Sequence, residues 1–528
     1  MKRTIHLLFF FYFFTVPMGK LYAQIDILDK TFGEGGKTAL LGPNNFSGSL
    51  ITDISILPNK KIIACGIIHD STGSVILFAS RYYENGMLDS SFGTNGYFIA
   101  DGKLKAWDAK LTTDQDGSLY IYGYHAQQFQ YAESPFLLRL FEDGTLDTSF
   151  AEEGIYGLND TIGSANIYCV YIEKDKSLKV IGQAYFGYAE PILPYIQKFT
   201  SNGQLDPSFG TNGRKLIRLE DTVSIAAINA SIDTESRLLL FVCIDPINVY
   251  NYSVIRTSLD GVVDSTFGDK GVAQVRIGNA ETEYTAGLIM PDNSLLCIMN
   301  SSTTSYQVYI DIVKILSNGE IDNSFGQSGV ARLKYDNVSC RAYKCIIDND
   351  NNIVVAGHVS GLDNISYSPS VFRLLNSGGV DSSFSLYGVS IPFPSNRGES
   401  YAVAVTENSK YVVGGQLDVA TLLYRLYPPK VSSISRSTDN TSNNTSLFPN
   451  PTPSTDNCTV TYTLPTNGDC TLTLRDESGR EVRGFARDEY RTLGEHTEEL
   501  DLRGLASGVY FLQIESGGAV QTAKLIKQ

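Results

Sequence analysis

Chemistry in this chain has few side chains to work with. Beyond the N-terminal segment there are four histidines, His69, His125, His358 and His496. Nucleophilic catalysis pairs a serine or cysteine with a nearby base. No Gly-x-Ser-x-Gly elbow, zincin helix or phosphate-cradling glycine loop is present to organise such a pair. His69, His125 and His358 each follow the second strand of a repeat described below, so a shared metal would need their loops to lean inward across a ring. They read as ordinary loop histidines. Asp114-Gln115-Asp116-Gly117 and Asp348-Asn349-Asp350-Asn351-Asn352 resemble the start of a calcium loop. They coincide with turns that elsewhere read Pro58-Asn59-Lys60 or Glu407-Asn408-Ser409, and tight turns favour Asp, Asn and Gly without any ion. The expectation is no catalytic residue, no metal and no cofactor.

Aromatic side chains are the stronger signal, with 31 Tyr, 26 Phe and a single Trp. Several fall in segments that a four-stranded meander brings to one face, the loops after each second strand and the links into the next unit. The candidates for ligand binding are Trp107, His125, Tyr131, Tyr185, Tyr188, Tyr250 and Tyr252. Rings with an apolar face and a polar tip suit stacking on sugars or anchoring a protein partner. Packing of the same rings onto neighbouring loops is the plain alternative.

What must position these residues is a repeat. The pattern Leu/Val/Ile-Asp-x-Ser/Thr-Phe occurs seven times, with aspartates at 29, 89, 147, 206, 264, 322 and 381, about 59 residues apart. Each period holds a strand, a polar turn, a short apolar strand such as 62–65 or 119–122, a longer loop, a third strand, the motif and a last short strand. Four antiparallel strands per unit, seven times over, predict a seven-bladed β-propeller across residues 24–427. A linear solenoid would need polar capping repeats, and none is seen. A basic residue lies eight positions before six of the aspartates, at Arg81, Arg139, Lys198, Arg256, Lys314 and Arg373. Arg425 ends the last unit with no aspartate after it, while Asp29 has no basic strand before it. The N-terminal segment is therefore expected to close the last blade, with Asp29 beside Arg425. In forms such as Leu205-Asp206-Pro207-Ser208-Phe209-Gly210-Thr211-Asn212-Gly213, the repeat resembles the bacterial delta-60 repeat. That resemblance implies secreted propeller-like units and no shared catalytic residues.

The two ends speak of export. Lys2 and Arg3 precede an uncharged run over residues 7–16, and Leu21 and Ala23 supply a cleavage pattern, so residues 1–23 read as a signal peptide. The apolar run is too short for the ~20 residues that span a bilayer, and no other stretch approaches that length, so the mature chain is expected to lack a transmembrane segment. Residues 428–446, with Pro428-Pro429 and a Ser/Thr/Asn-rich run, read as a flexible linker. Residues 447–528 have an alternating strand pattern that suits a small β-sandwich. Leu447-Phe448-Pro449-Asn450-Pro451, Gly508-Val509-Tyr510-Phe511 and the closing Lys524-Leu525 resemble the type A C-terminal sorting domain of the Bacteroidetes type IX secretion system. The resemblance implies a partner in the secretion machinery and an extracellular or outer-surface location. A fibronectin-like adhesion sandwich is the alternative.

The formal charge of −15 excludes nucleic acid as an expected partner, because phosphates demand clustered Lys and Arg. Eight cysteines in an exported chain invite disulfides, but Cys65 and Cys297 sit in apolar strand cores, and Cys340 and Cys345 lie too far apart along one strand to bridge. Mostly free, buried thiols are expected. All-β architecture with export points to a surface or released binding module, its propeller recognising a glycan or protein. The alternatives are a carbohydrate-active enzyme, glycosidase or lyase, and a structural surface-layer protein without a small ligand.

Overall fold

The computed structural model describes residues 27–427 and 446–527, apart from 41–46, 71–72, 101–103, 127–132, 158–163, 186–190, 221–223, 245–250, 276–280, 303–306, 336–337, 361–366, 386–387, 395, 419, 449–456, 465–466, 477–479 and 517–518. The expected signal peptide and nearly all of the expected linker lie outside the described residues. Among those described, strands and turns carry the fold and no α-helix occurs. They divide into two compact units, the boundary falling between Val431 and Ser432.

The first unit is a β-propeller. Among the described residues it contains seven four-stranded antiparallel sheets. We number them by their first strands: Ser47–Ile56, Ala106–Thr113, Ser164–Ile172, Ile225–Ile232, Glu281–Ile289, Cys340–Ile347 and Gly398–Val405. Sheet 2 shows the plan, with Ala106–Thr113, Leu119–Ala126, Glu133–Leu140 and Ile155–Tyr156 side by side. Second and third strands read as near-continuous apolar runs, as in Ile62–His69, because neighbouring sheets cover both of their faces. Consecutive sheets pack on one another, and the first strand of sheet 1 packs on Gly398–Val405, Tyr411–Leu417 and Ala420–Leu426 of sheet 7. The second strands run longer than the sequence suggested. Leu119–Ala126 carries four residues more than 119–122 because pairing with both neighbours continues to the loop.

The fourth strand of sheet 7 comes from the other end of the chain. Lys37–Leu40 pairs with Ala420–Leu426, and Leu28 bridges Leu426. Asp29 lies where its six counterparts do: Arg425 Nε donates to its Oδ2 at 2.7 Å and Lys410 Nζ to the same oxygen at 2.9 Å. Every unit makes the same basic–acidic pair. Arg81–Asp89, Arg139–Asp147 and Arg256–Asp264 bond through Nε at 2.7–2.8 Å, Arg373 bonds Asp381, and the lysine versions Lys198–Asp206 and Lys314–Asp322 stand at 3.5 and 3.3 Å.

The motif also ties each sheet to the next. Arg81 Nη1 donates to Glu142 O at 2.5 Å, and Arg139, Arg256 and Arg425 make the same reach to Ser201, Ser317 and Glu84. The motif phenylalanines Phe32, Phe92, Phe150, Phe267, Phe325 and Phe384 are buried, and four of them carry a guanidinium over the ring at 4.5–5.0 Å. The Phe92 ring fits beneath the next sheet's turn, where Gly144 has φ +83° and an added Cβ would stand 2.7 Å from the ring. Gly144→Ala is therefore expected to cost about 1–3 kcal/mol, from strain and from the displaced ring together. Urea unfolding of the whole chain measures it.

None of the eight cysteines is in a disulfide; seven are buried and Cys169 is half-buried. The second unit is a small β-sandwich. One sheet holds Ser446–Phe448, Asn457–Leu464 and Gly494–Asp501, and the other Glu481–Arg491, Gly468–Asp476, Gly508–Ser516 and Ala519–Lys527. Val460, Tyr462 and Leu500 from the first meet Leu472, Leu474, Leu512, Ile514 and Leu525 from the second in one core. The Lys527 ammonium is buried and donates to Leu502 O and Leu505 O, which anchors the last strand.

Candidate functional site

The seven first strands converge on a common axis. Lys344 Nζ of sheet 6 lies 3.1 Å from Asp53 Oδ1 of sheet 1, reaching past sheet 7 between them. Leu111 N of sheet 2 donates to the other Asp53 oxygen at 3.1 Å. Three sheets thus meet on one carboxylate. Asp53 in turn raises the Lys344 ammonium above its ordinary range, outweighing burial.

Each first strand has a bulge, a residue skipped in the pairing with its neighbour. The skipped residues are Thr52, Trp107, Tyr168, Ile228, Thr285, Tyr343 and Tyr401, and the first strand of sheet 1 skips Gly48 near its start as well. A bulge takes a side chain out of the in–out alternation of the strand and bends it locally. Tyr168 and Ile228 still pack against the core between neighbouring sheets, whereas Trp107 does not. Trp107 is the most open of the seven, 59 % exposed. In sheet 2 the bulge lies two residues earlier than elsewhere, since Ala109 pairs with Gly123 as Ile51 pairs with Gly66.

One register step toward the strand start from that paired position stand Leu50, Asp108, Asn166, Ala226, Glu283, Arg341 and Glu399. Five of the seven are polar, at one mouth of the axial channel. Glu283 and Arg341 are paired at 2.8 Å. Glu399 accepts from Tyr343 Oη at 2.8 Å and from Tyr401 Oη, and lies 3.0 Å from His358 Nδ1. The Tyr343 ring packs on those of Tyr401 and His358, and Tyr367 packs on His358 with ring centroids 4.7 Å apart. Burial opposes the Glu399 charge, but the bonds from His358 and Tyr343 outweigh it and hold the carboxyl below its ordinary range. Burial and Glu399 together push the Tyr343 hydroxyl up. The result is a rigid, ionised carboxylate cradled by aromatic rings. With three donors on two oxygens, it suits orienting a ligand better than taking a proton.

The structure separates the residues singled out from sequence. Trp107 stands exposed at this mouth. Tyr185, the last residue of its strand, is half-buried. His125 and Tyr252 are 6 % and 7 % exposed, because the sheet continues past the positions where the sequence ended it and covers them. Tyr131, Tyr188 and Tyr250 lie outside the described residues. His69 caps its own sheet through Gly48 O at 2.7 Å, so His69, His125 and His358 belong to three separate surroundings. Sequence reasoning did not find the Glu399 cluster. Its members come from adjacent repeats, and the signal available was the shared register position, visible only after the seven units are superposed.

Residues 446–528 match the family described as a secretion system C-terminal sorting domain, and residues 115–150 match a β-propeller domain of unknown function, DUF5122. No curated protein sequence matches the chain. Among solved structures, a protein of unknown function from Dyadobacter fermentans DSM 18053 aligns at 11 % identity and TM-score 0.37, over 74 % of this chain and 98 % of that one. The Hadza microbial sialidase Hz136 aligns at 10 % identity and TM-score 0.37, over 70 % and 74 %. An endo-arabinase from Bacteroides thetaiotaomicron VPI-5482 aligns at 11 % and 0.31, over 63 % and 96 %. Likenesses this distant carry no inference about activity. The sorting tail indicates export to the cell surface or the extracellular space.

Proposed function

We propose that this chain, a β-propeller with a type IX sorting tail, is a secreted or cell-surface binding module that holds a glycan or protein ligand at the channel mouth beside Trp107. Residues 1–23 serve as its signal peptide, and the tail engages the secretion machinery. The observation that carries the reading is the exposure of the sole tryptophan, 59 %, on a strand whose neighbouring positions are buried or half-buried. A large apolar ring left open beside fixed polar groups is what recognition surfaces use. The Glu399 network and the Glu283–Arg341 pair supply polar groups whose positions are set before a ligand arrives, which lowers the cost of ordering them. Hydrolysis of a glycosidic bond calls for two carboxyl groups about 5–10 Å apart, one of them free to exchange a proton. Of the three carboxylates at this register position, Glu283 is committed to Arg341 and Glu399 to its three donors, which leaves Asp108 without a second carboxyl free to work with it and favours binding over catalysis.

The test is binding of the exported chain to an array of polysaccharides and surface proteins, with Trp107→Ala alongside. Saturable binding weakened at least about ten-fold by the substitution is expected, the ~1.4 kcal/mol or more that an anchoring aromatic supplies. Binding of equal strength by both proteins removes the mouth from consideration.

A further inference from the structure

The opposite face of the propeller repeats a different feature. In sheet 2, Ala106, His125 and Ser134 are aligned at the Trp107 mouth, while Thr113, Leu119 and Leu140 are aligned at the far end. The turn after the third strand therefore emerges on the far face. In sheets 1 to 6 it has one backbone form: the residue two after the basic position donates its N–H to the residue four further on, as in Tyr83 N to Met87 O and Phe141 N to Thr145 O, while in sheet 7 Tyr427 N donates to Ile27 O of the N-terminal segment, which takes the same place. In sheets 3 and 4 that residue caps its own turn. Thr200 Oγ1 donates to Gln204 O, and Ser258 Oγ accepts from Asp260 N and Val262 N. In the other five sheets the capping side chain is given up for a large apolar one. Leu316, Leu375, Tyr427, Tyr83 and Phe141 occupy the position in sheets 5, 6, 7, 1 and 2, and all are 37–47 % exposed. With sheet 7 packed on sheet 1, these five sheets are consecutive, so the apolar residues form one arc.

At one end of the arc the surface is concave. A cleft of about 810 Å³ runs between sheets 1 and 2, with Phe141 on its wall and Lys61, Arg81, Asp116, Arg139 and Glu142 around it. Its basic groups are already neutralised. Lys61 and Arg81 share Asp89, Arg139 holds Asp147, and Asp116 is paired with Lys176. Lys61 and Lys410 lie over the Tyr83 and Tyr427 rings at 5.2 and 4.8 Å, and Phe141 has no such cation among the described residues. An anionic ligand would have to break these pairs and would face the Glu142 and Asp143 carboxylates as well. A polyhydroxylated, uncharged one would not: it stacks on the rings and exchanges hydrogen bonds with the rim. We propose that this arc is a second binding surface, for an uncharged polysaccharide chain long enough to cross several sheets, with Phe141 as its principal platform. It extends the recognition reading to the other face and does not depend on Trp107.

Affinity electrophoresis of the full exported chain through gels containing β-glucan, xylan or mannan, against polygalacturonate and chitosan, tests it. Retardation by at least one neutral polysaccharide, insensitive to about 0.5 M salt, and none by polygalacturonate is expected, whereas retardation by chitosan alone would overturn the uncharged ligand. Phe141→Ala should weaken it about ten-fold and Phe141→Ala with Tyr83→Ala further, by the same factors in a chain that already carries Trp107→Ala. Both positions are exposed, so unchanged unfolding midpoints will show that the variants are folded. Retardation by none of the neutral polymers, retardation unaffected by the double variant, or a Phe141→Ala effect that disappears in the Trp107→Ala chain would overturn the proposal. So would self-association of the chain that the double variant abolishes.

Discussion

Replacing Asp29 by asparagine is expected to cost the propeller about 3–5 kcal/mol, the penalty for leaving buried charge without its partner. The side chain keeps its shape, and an asparagine oxygen can still accept from Thr31 N, so the turn survives. What is lost is the charge that Arg425 and Lys410 both face, the carboxylate being fully buried and Arg425 nearly so. These contacts join residues about four hundred positions apart, and with the Lys37–Leu40 strand they are what closes sheet 7. The chemically identical change at Asp206 is the control. There the carboxylate is 21 % exposed and its lysine stands 3.5 Å away, so a loss of about 0–1 kcal/mol is expected, as for surface pairs. Urea unfolding of the two variants, followed by tyrosine and tryptophan emission, separates them. Equal losses would mean that ring closure is not special.

Acid should undo the whole ring. Burial would raise the Asp29 and Asp89 carboxyls, but bonds from Thr31 and Lys410 to one, and from Lys61 and Ser91 to the other, outweigh it and hold both well below the carboxylate range. Asp147 is lowered in the same way, burial again overcome by Ser149 and Arg139. Asp264 and Asp322 are lowered chiefly by hydroxyl bonds from Thr266 and Ser324. A carboxyl depressed in the folded state stabilises fully above its unfolded value, near pH 4, and the contribution fades as pH falls through that value toward the folded one. The propeller is therefore expected to be insensitive to pH between about 5 and 8, and to lose most of its stability between about pH 4 and pH 2 with uptake of several protons. Urea midpoints across that range check it. A midpoint unchanged at pH 3 would show that the motif aspartates do not support the ring.

Much of the ring is legible in the sequence alone, because the repeat is its own alignment. Seven aspartates at a fixed spacing, six of them trailing a basic residue by eight positions, amount to a contact map, and the two unmatched halves, Asp29 and Arg425, could only complete each other. The axial site is not legible in the same way. Asp53 and Lys344 meet because strands converge on an axis, and no spacing within one repeat encodes that. The bulges that free Trp107, Tyr343 and Tyr401 depend on backbone pairing, and the earlier bulge of sheet 2 has no sequence mark. His125 and Tyr252 look like loop residues because apolar alternation fades near strand ends, although backbone pairing continues and buries them. The apolar arc has a sequence signal: Tyr83, Phe141, Leu316, Leu375 and Tyr427 share one offset from the basic residue. Thr200 and Ser258 interrupt that pattern in the middle of the chain, and only closure of the ring makes the five remaining positions continuous.

Because Trp107 is the only tryptophan, its own fluorescence reports on the channel mouth without any label. The most direct measurement is its emission spectrum while the exported chain is titrated with a ligand identified on the array. Recognition at the mouth predicts a saturable change, a blue shift as the ring leaves water, with a midpoint equal to the dissociation constant measured independently. An unchanged spectrum at concentrations that saturate binding would contradict it and move recognition away from this mouth.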